Sequence, residues 1–297
     1  MMENEKKNKN QKSFMRNPYA IVTLVVLVVY LIVLLFPMFW GFWTAAKSNT
    51  DYLDNQLGFP KKWQFVNFWD AFTNYSVPVF KGGKSTIYYA EMLLLFSILY
   101  AGGSALATTI TCCIVAYVTA RYNFKFSKVV YGIVLVTMTL PIVGALPSEI
   151  QMVKNLGLYD TIWGMWILKA NFLGMYYLVF FATFKGLPKD YDEAARLDGA
   201  GNFMIMMRIA LPLVKNIFMT VLLIKFIEYW NDYSINVTYL PSYPTLAYGL
   251  YEFANSTRYS TPERLAACFI LIIPIVIVFS YTHDKMMSNL SVGGGKE

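Results

Sequence analysis

The sequence predicts an all-α polytopic membrane protein with six transmembrane helices and a cytoplasmic helix-turn-helix. Of its 297 residues, 57% are apolar and 14% are charged. A soluble domain averages about 45–50% apolar and about 25% charged residues. The charged residues cluster in short stretches between long apolar runs, a distribution typical of a chain that crosses a membrane several times. The composition therefore excludes a soluble enzyme.

Six apolar segments are long enough to cross a hydrocarbon core, which takes about 20 residues. They run from about Ala20 to Trp43, Glu91 to Ala120, Val129 to Leu146, Trp163 to Phe184, Ile217 to Ile235 and Leu265 to Tyr281. The first is longer than the roughly 7–15 apolar residues of a signal peptide, so we interpret it as a retained anchor. The second contains small residues at 102–105 and 107, which let helix backbones approach closely.

The distribution of basic residues predicts that both termini are cytoplasmic. Most of the 25 lysines and arginines fall in segments that lie inside under this orientation. The predicted organisation is a basic tail at 1–19, one six-span domain at 20–285 and a second tail at 286–297. Within the domain we expect outer loops at 44–89 and 237–262 and a cytoplasmic loop at 185–215. Because the basic tail suits a topogenic or lipid-facing role, the net charge of +7 requires no nucleic-acid partner.

Residues that commonly bind metals are rare in this chain. His283 is the single histidine, and the three cysteines, Cys112, Cys113 and Cys268, all lie in apolar runs. We therefore predict no metal, no cofactor and no disulfide framework, and we interpret the cysteines as small packing residues.

The predicted outer loop at 237–262 combines prolines with several tyrosines. Pro241 and Pro244 restrict its backbone, and tyrosine-rich rigid loops are common protein-contact surfaces. We expect this loop to contact a partner protein on the outer side of the membrane.

The cytoplasmic loop at 185–215 is predicted to form two short helices. Pro188 and Asp190 suit the start of the first helix, and Gly199 suits the left-handed position just past its end. Acidic residues favour a first helical turn, and here they are Asp190, Asp192 and Glu193. A second helix from about Asn202 is expected to stop near Leu211, because Pro212 disfavours helical geometry in the residue before it.

The middle of this loop reads Glu193-Ala-Ala-Arg-Leu-Asp-Gly-Ala200 and continues with Phe203, Ile209, Leu211 and Pro212. Small residues flanked by charges suit entry into a groove on another protein, whereas the alternative is a merely solvated connector. The pattern resembles the EAA loop of ABC importer permeases. The resemblance covers nearly the whole chain and points to the sugar-importer branch, specifically the smaller partner subunit of the maltose-type permease. Supporting stretches include Phe59-Pro-Lys-Lys-Trp63, Met138-Thr-Leu-Pro141, Trp230-Asn-Asp232 and Met287-Ser-Asn-Leu-Ser-Val-Gly-Gly-Gly295.

The resemblance implies how such a loop works. The coupling residues would be Glu193, Ala194, Ala195, Asp198, Gly199 and Pro212, with the helices docked in clefts of ATPase subunits. Glu193 would pair with a basic residue of the ATPase, and Gly199 would permit the sharp turn. Further implied partners are a second homologous permease, two ATP-binding-cassette ATPase subunits, an extracytoplasmic sugar-binding protein, a sugar and membrane lipid. Because this chain contains no Walker-type phosphate loop, ATP would be handled by other subunits. We predict that the chain is a passive-pathway subunit and not itself an enzyme.

Charged residues also occur inside the predicted fifth span. Lys225, Glu228 and Asp232 are spaced i, i+3 and i+7, which places them on one stripe of a helix. A charge near the bilayer midplane costs about 2.5–3.5 kcal/mol on insertion scales, so this stripe should face a cavity or a partner. With Trp230 and Asn231 it suits a translocation path for a hydroxyl-rich solute. Equally open is a structural ion pair between Lys225 and Glu228 that fixes packing against a partner subunit.

The sequence thus predicts a transmembrane permease subunit of an ATP-driven importer of sugars or oligosaccharides in the plasma or inner membrane. The alternative is a secondary transporter of a polar solute driven by an ion gradient, an architecture that often shows two repeated halves. No convincing repeat is visible here. A membrane-embedded enzyme is disfavoured because the chain offers few clustered catalytic groups.

Overall fold

The computed structural model describes residues 18–122, 124–140 and 144–290. For residues 271, 278, 279 and 281–290 it describes the backbone and not the side chains. The predicted tails at 1–19 and 286–297 therefore lie largely outside the described residues. The described backbone is mostly helical.

The helices and strands follow one another in this order. The first part contains α1 (Pro18–Ala45), α2 (Asn49–Asp54), α3 (Val66–Thr73), β1 (Ser76–Lys81), β2 (Lys84–Tyr89), α4 (Ala90–Ser97), α5 (Gly103–Arg121) and α6 (Lys125–Thr139). The second part contains α7 (Leu146–Asn155), α8 (Ile162–Lys169), α9 (Met175–Gly186), α10 (Asp190–Leu197), α11 (Asn202–Ile205), α12 (Leu211–Leu213), α13 (Lys215–Trp230), α14 (Ser234–Thr238), α15 (Leu246–Asn255) and α16 (Thr261–Leu290). Two π-helical turns, Ile98–Gly102 and Met206–Ala210, continue α4 into α5 and α11 into α12.

Two helical segments of the described chain are long and apolar enough to cross a membrane. They are α1 and the continuous α4–α5 helix, Ala90–Arg121, and they coincide with the first and second predicted spans. A third would be counted if Asn202–Leu213 and Lys215–Trp230, which are bent by 75° from each other, formed one broken span. The count of six spans stays a prediction.

The helices at the third, fourth and fifth predicted spans are shorter than expected. Helix α6 ends at Thr139 rather than Leu146, because Leu140 precedes a proline and adopts an extended backbone with ψ of 118°. The expected fourth span is divided between α8 and α9 by residues 170–174, where the Asn171 side chain accepts a hydrogen bond from the Leu173 amide at 2.8 Å. Helix α13 ends at Trp230, before the predicted end at Ile235.

The prediction of an all-α fold is wrong at one place, in the predicted outer loop at 44–89. Strands β1 and β2 form an antiparallel hairpin with Ser76 opposite Tyr89 and Lys81 opposite Lys84. The turn uses Gly82 and Gly83, both with positive φ, which is the geometry that two-residue hairpin turns require. Alternate residues Val77 and Val79 are buried, so one face of β1 packs inward.

The chain divides into two compact units, and the first comprises residues 18–72 with 257–270. Its ordered centre is the fully buried Lys47, whose Nζ donates to the Asn55 carbonyl at 2.6 Å. The Asn67 amide donates to the carbonyls of Ala45 and Lys47 at 2.8 and 2.7 Å. These bonds order the chain that follows α1, because buried backbone carbonyls require donors. The phenyl rings of Phe42, Phe68 and Phe269 pack together in the same unit.

The second unit comprises residues 73–256 and 271–290, and its core lies around the α4–α5 helix. Helices α9 and α13 pack on α5 through Ala116, Tyr117, Phe180, Phe184 and Val221. Two of the small residues that were predicted to allow close helix packing, Ser104 and Ala105, are fully buried. Cys112 and Cys113 are free, buried thiols in this core, as the packing interpretation predicted.

Candidate functional site

The predicted coupling loop contains a short amphipathic helix, α10. The helix begins at Asp190, and its first turn carries Asp190, Asp192 and Glu193, charges that complement the positive end of a helix. Gly199 follows with a φ of +81°, and its amide donates to the Arg196 carbonyl at 3.0 Å. Left-handed backbone after a helix favours glycine, and it turns the chain toward α11.

The predicted coupling residues differ in exposure. Glu193, Ala194, Asp198, Gly199 and Pro212 are exposed, whereas Ala195 is only 8% exposed and faces the protein interior. The part of this set that is available to a partner is therefore the outer face of α10, together with the turn that follows it.

The second helix of the loop continues past the position expected from Pro212. A π-helical turn at Met206–Ala210 leads into α12, and helical geometry ends at Leu213 instead of near Leu211. Pro212 is the second residue of α12, and the π-helical turn before it leads into α12 without a break. The prediction that the proline stops the helix is therefore wrong by two residues, and the 75° bend falls at Val214.

Arg121, the last residue of α5, holds the start of α10. Its Nε donates to Asp192 Oδ2 at 2.9 Å, and its Nη1 donates to the carbonyls of Phe184 and Leu187 at 3.3 and 2.8 Å. Its Nη2 donates to the Pro188 carbonyl at 3.1 Å. The ion pair is largely shielded, since the side chains of Arg121 and Asp192 are 6% and 17% exposed. A cavity of about 250 Å³ next to it is lined by Ala120, Arg121, Lys185, Lys189, Asp192, Glu193 and Arg196.

Lys225 and Glu228 form the ion pair that the sequence suggested. The distance from Lys225 Nζ to Glu228 Oε2 is 2.8 Å, on one face of α13. The same ammonium group lies 4.9 Å from the ring centroid of Tyr176 and 5.6 Å from that of Tyr229. Such distances give favourable cation–π contacts, so Lys225 is held by a carboxylate and two aromatic rings.

Asp232 does not continue the stripe of Lys225 and Glu228, because α13 ends at Trp230. Its carboxylate accepts a hydrogen bond from Tyr100 Oη at 3.2 Å and pairs with Lys169 Nζ at 3.9 Å. Lys169 in turn lies 5.3 Å from the ring centroid of Tyr229. Tyr229 thus stands between two lysines, each paired with a carboxylate of the chain.

A cavity of about 320 Å³ opens beside this arrangement, at the break between α8 and α9. Lys169, Lys225, Tyr176 and Tyr229 contribute to its wall, and Glu149 and Asn171 add polar groups. A volume of this size is in the range of small-molecule sites. Ammonium, amide and carboxylate groups beside aromatic rings can donate to and accept from the hydroxyl groups of a polar solute.

The other residues predicted for the path lie elsewhere. Trp230 is 4% exposed and packs on Phe226, with 5.4 Å between ring centroids. Asn231 is exposed, and its amide donates to the Ile227 carbonyl at 2.8 Å. Neither residue belongs to the wall of the cavity.

Sequence reasoning did not assign Lys169 or Tyr176 to the path, and it interpreted Asn171 as an interfacial residue near the end of a span. Lys169 was treated as one residue of a continuous fourth span. The signal was the stretch Lys169-Ala-Asn-Phe-Leu-Gly174, in which a charge, an amide and a glycine interrupt an apolar run. Interrupted hydrophobic segments are typical of polar sites in membrane transport proteins.

The predicted outer loop at 237–262 is ordered by buried polar contacts. The Asn236 amide donates to the carbonyls of Leu240 and Tyr243 at 2.9 and 2.8 Å. Asp160 accepts from the Ser242 amide at 2.8 Å and from its hydroxyl at 2.5 Å. Burial raises the pKa of Tyr239 to about 12, and nearby Glu149 adds to the rise. These hydrogen bonds order the start of the segment, residues 236–245.

The described fold is that of a largely helical membrane protein with a polar cavity at a break between two helices. One solved structure that the chain resembles is a crystal structure of a bacterial ABC transporter involved in the import of the acidic polysaccharide alginate. The match has a TM-score of 0.69 at 22% identity and covers 90% of this chain and 95% of that chain. Residues 110–286 match the family described as binding-protein-dependent transport system inner membrane component, and the chain belongs to that family. The family is a component of a transport system in the inner membrane.

Several curated relatives are similar over most of their length. The diacetylchitobiose uptake system permease protein of Streptomyces coelicolor is 25% identical over 83% of this chain and 79% of that protein. The melibiose/raffinose/stachyose import permease protein of Bacillus subtilis is 27% identical over 85% and 88%. The maltodextrin transport system permease protein of the same species is 30% identical over 61% and 66%.

Proposed function

We propose that this chain is a transmembrane permease subunit of an ATP-binding-cassette importer that carries sugars or oligosaccharides into the cell. The observation that carries the proposal is the family match over residues 110–286. The choice of sugars rests on the names of relatives that import diacetylchitobiose, melibiose, raffinose, stachyose and maltodextrin.

The proposed topology has six spans within residues 20–285 and both termini in the cytoplasm. It is supported by the excess of lysine and arginine in the segments that would lie inside. The two long apolar helices, α1 and α4–α5, agree with the first two spans. In this topology residues 185–215 face the cytoplasm, and residues 44–89 and 237–262 face outward.

We assign the contact with the ATPase to the exposed face of α10 and to the turn after it. Glu193, Ala194 and Asp198 are exposed there, and Gly199 sets the direction of the chain that follows. Ala195 and Pro212 would act by packing and by shaping the second helix. A short rigid helix joined to α9 and, through α11 and α12, to α13 is suited to transmit movement of an ATPase subunit to the membrane helices.

The importer requires partners that the family description only implies. They are two ATPase subunits, an extracytoplasmic binding protein and a second permease subunit. The outer segment with Pro241 and Pro244 is the surface we assign to the binding protein, because its tyrosines and hydrogen-bonded backbone suit a protein contact.

The proposed translocation path runs past the cavity at the α8–α9 break. Lys225 lines this cavity, while Glu228 and Asp232 hold the two lysines on either side of Tyr229. Trp230 and Asn231 would support the end of α13 rather than touch the solute. A hydroxyl-rich solute suits the mixture of donors, acceptors and aromatic faces.

The test is uptake by the reconstituted complex. The chain, its partner permease and the ATPase subunits are placed in vesicles, and uptake of labelled oligosaccharides is measured with the binding protein outside. We expect uptake that needs both ATP at the ATPase subunits and the binding protein. Uptake that follows an imposed ion gradient without ATP would instead establish the secondary transporter.

A further inference from the structure

Arg121 makes more hydrogen bonds than a solvent-exposed charged residue would require. Its side chain is 6% exposed, and it donates four hydrogen bonds to α10 and to the chain that precedes α10. The accepting carbonyls belong to Phe184, Leu187 and Pro188, which are the last turn of α9 and the connection to α10. Because an arginine presents five N–H donors in one rigid plane, it can hold these acceptors in a fixed arrangement.

The segment that Arg121 holds, residues 187–189, is the place where a hinge would otherwise lie. Helix α9 ends at Gly186, and α10 begins at Asp190, so residues 187–189 are the only link between them along the chain. A push on α10 would be absorbed there by backbone rotation if nothing restrained the link. Arg121 restrains two of its three carbonyls and also pairs with Asp192 in the first turn of α10.

The α4–α5 helix connects this restraint to the opposite end of the unit. Its 32 residues span about 48 Å at 1.5 Å per residue. Near its other end, Tyr100 donates to Asp232, and Ser97 Oγ accepts from the Leu246 amide at 2.8 Å at the start of α15. One helix therefore contacts α10 at its C-terminus and the outer segment within its N-terminal third.

We infer that Arg121 is a positioning residue that fastens the coupling helix α10 to the α4–α5 helix, so that the two move together when an ATPase subunit moves. The role rests on the proposed function, because it presumes that α10 meets an ATPase. This inference gives the α4–α5 helix a part in coupling. The covalent connections of α10 to α9 and α13 would not by themselves involve that helix.

The first measurement is the amount of oligosaccharide imported per ATP hydrolysed by the reconstituted complex. In Arg121→Gln we expect this ratio to fall about 5-fold or more, the lower end of typical coupling between sites, while the ATPase still co-purifies. Arg121→Lys should restore only part of the ratio, because a single ammonium can pair with Asp192 but cannot hold all three carbonyls. Lys128→Gln is the control, since it removes an exposed charge near the same end of the helix.

The second measurement does not depend on transport. Spin labels are placed at the exposed positions 114 in α5 and 191 in α10 of the full complex, after Cys112, Cys113 and Cys268 are replaced by alanine. We expect one narrow distance distribution with Arg121 and a broad one with Arg121→Gln. If Arg121→Gln does not assemble, Asp192→Asn removes the ion pair and leaves the carbonyl contacts, and it should broaden the distribution less.

The outcomes separate the two proposals. A narrow distribution and an unchanged import ratio in Arg121→Gln would overturn the positioning role while the importer function stands. A wild-type complex without ATP-dependent uptake would overturn the proposed function, and the distance distributions would still decide whether Arg121 fastens α10.

Discussion

Lys225 and Glu228 form an ion pair whose two members have very different surroundings. Their side chains are 15% and 53% exposed, and Lys225 alone lies between the rings of Tyr176 and Tyr229. The lysine is therefore fixed in the cavity wall, whereas the carboxylate has an exposed side that remains available to a solute or to a partner subunit.

The pair allows a test of pathway against packing. Lys225→Met and Glu228→Gln each leave one member uncompensated, and the double variant removes both charges. We expect the double variant to recover assembly relative to Glu228→Gln, because that single variant leaves the shielded Lys225 without its carboxylate. Transport should stay low, since losing a hydrogen bond to a charged group costs about 1.5–3 kcal/mol, or about 10- to 100-fold in uptake.

The measurement is uptake of several labelled oligosaccharides, normalised to the amount of complex, in both single variants and the double. Wild-type uptake with unchanged sugar preference in the double variant would falsify the pathway role. The packing interpretation would then remain.

The coupling loop is tested by variants at Glu193 and Gly199. We expect Glu193→Lys to abolish uptake at normal abundance, because reversing a paired carboxylate typically costs about 3–5 kcal/mol when the pair is buried in an interface. Gly199→Asp should act similarly by placing a charge at the turn. Co-purification of the ATPase and uptake are measured together.

Matched variants separate charge from backbone strain. Asparagine accepts left-handed geometry readily, so Gly199→Asn keeps the φ of +81° and adds no charge. Glu193→Gln likewise keeps shape and removes charge. If Glu193→Lys and Gly199→Asp both transport normally with the ATPase bound, α10 is not the docking helix.

The outer segment is tested by replacing residues 241–244 with a flexible sequence that keeps Ser242 and its contact with Asp160. We expect weaker stimulation of ATP hydrolysis by the loaded binding protein, because a flexible surface must be ordered on binding at an entropic cost. Basal hydrolysis should persist. Full stimulation would mean that the segment only connects two helices.

The packing of the α4–α5 helix is tested at two neighbouring glycines. A Cβ at Gly103 would collide with the Trp166 indole, which is itself held by a 2.9 Å hydrogen bond to the Leu99 carbonyl. We expect Gly103→Leu to destabilise the protein by about 1–3 kcal/mol, the usual cost of overpacking. The midpoint of thermal unfolding in detergent measures the loss. Gly102→Ala is the control, since the space there is open, and an equal loss in both variants would contradict the packing argument.

Several features followed from the sequence alone because they depend on local chemistry. Long apolar runs predicted α1 and the α4–α5 helix, since a helix in lipid satisfies its own backbone hydrogen bonds. Acidic residues and Gly199 predicted the bounds of α10, because helix ends are set by nearby residues. The EAA-like pattern predicted the family to which residues 110–286 belong.

Other features depend on contacts between residues distant in the chain, and only the tertiary structure decided them. The division of the expected fourth span, the hairpin at 76–89 and the pairing of Lys169 with Asp232 are of this kind. So is the fastening of α10 by Arg121, whose partners lie 63 to 71 residues further along the chain. Helical periodicity determines which side chains share a face of one helix. The pairing of charges on different helices depends on how those helices pack, and only the folded chain decides that.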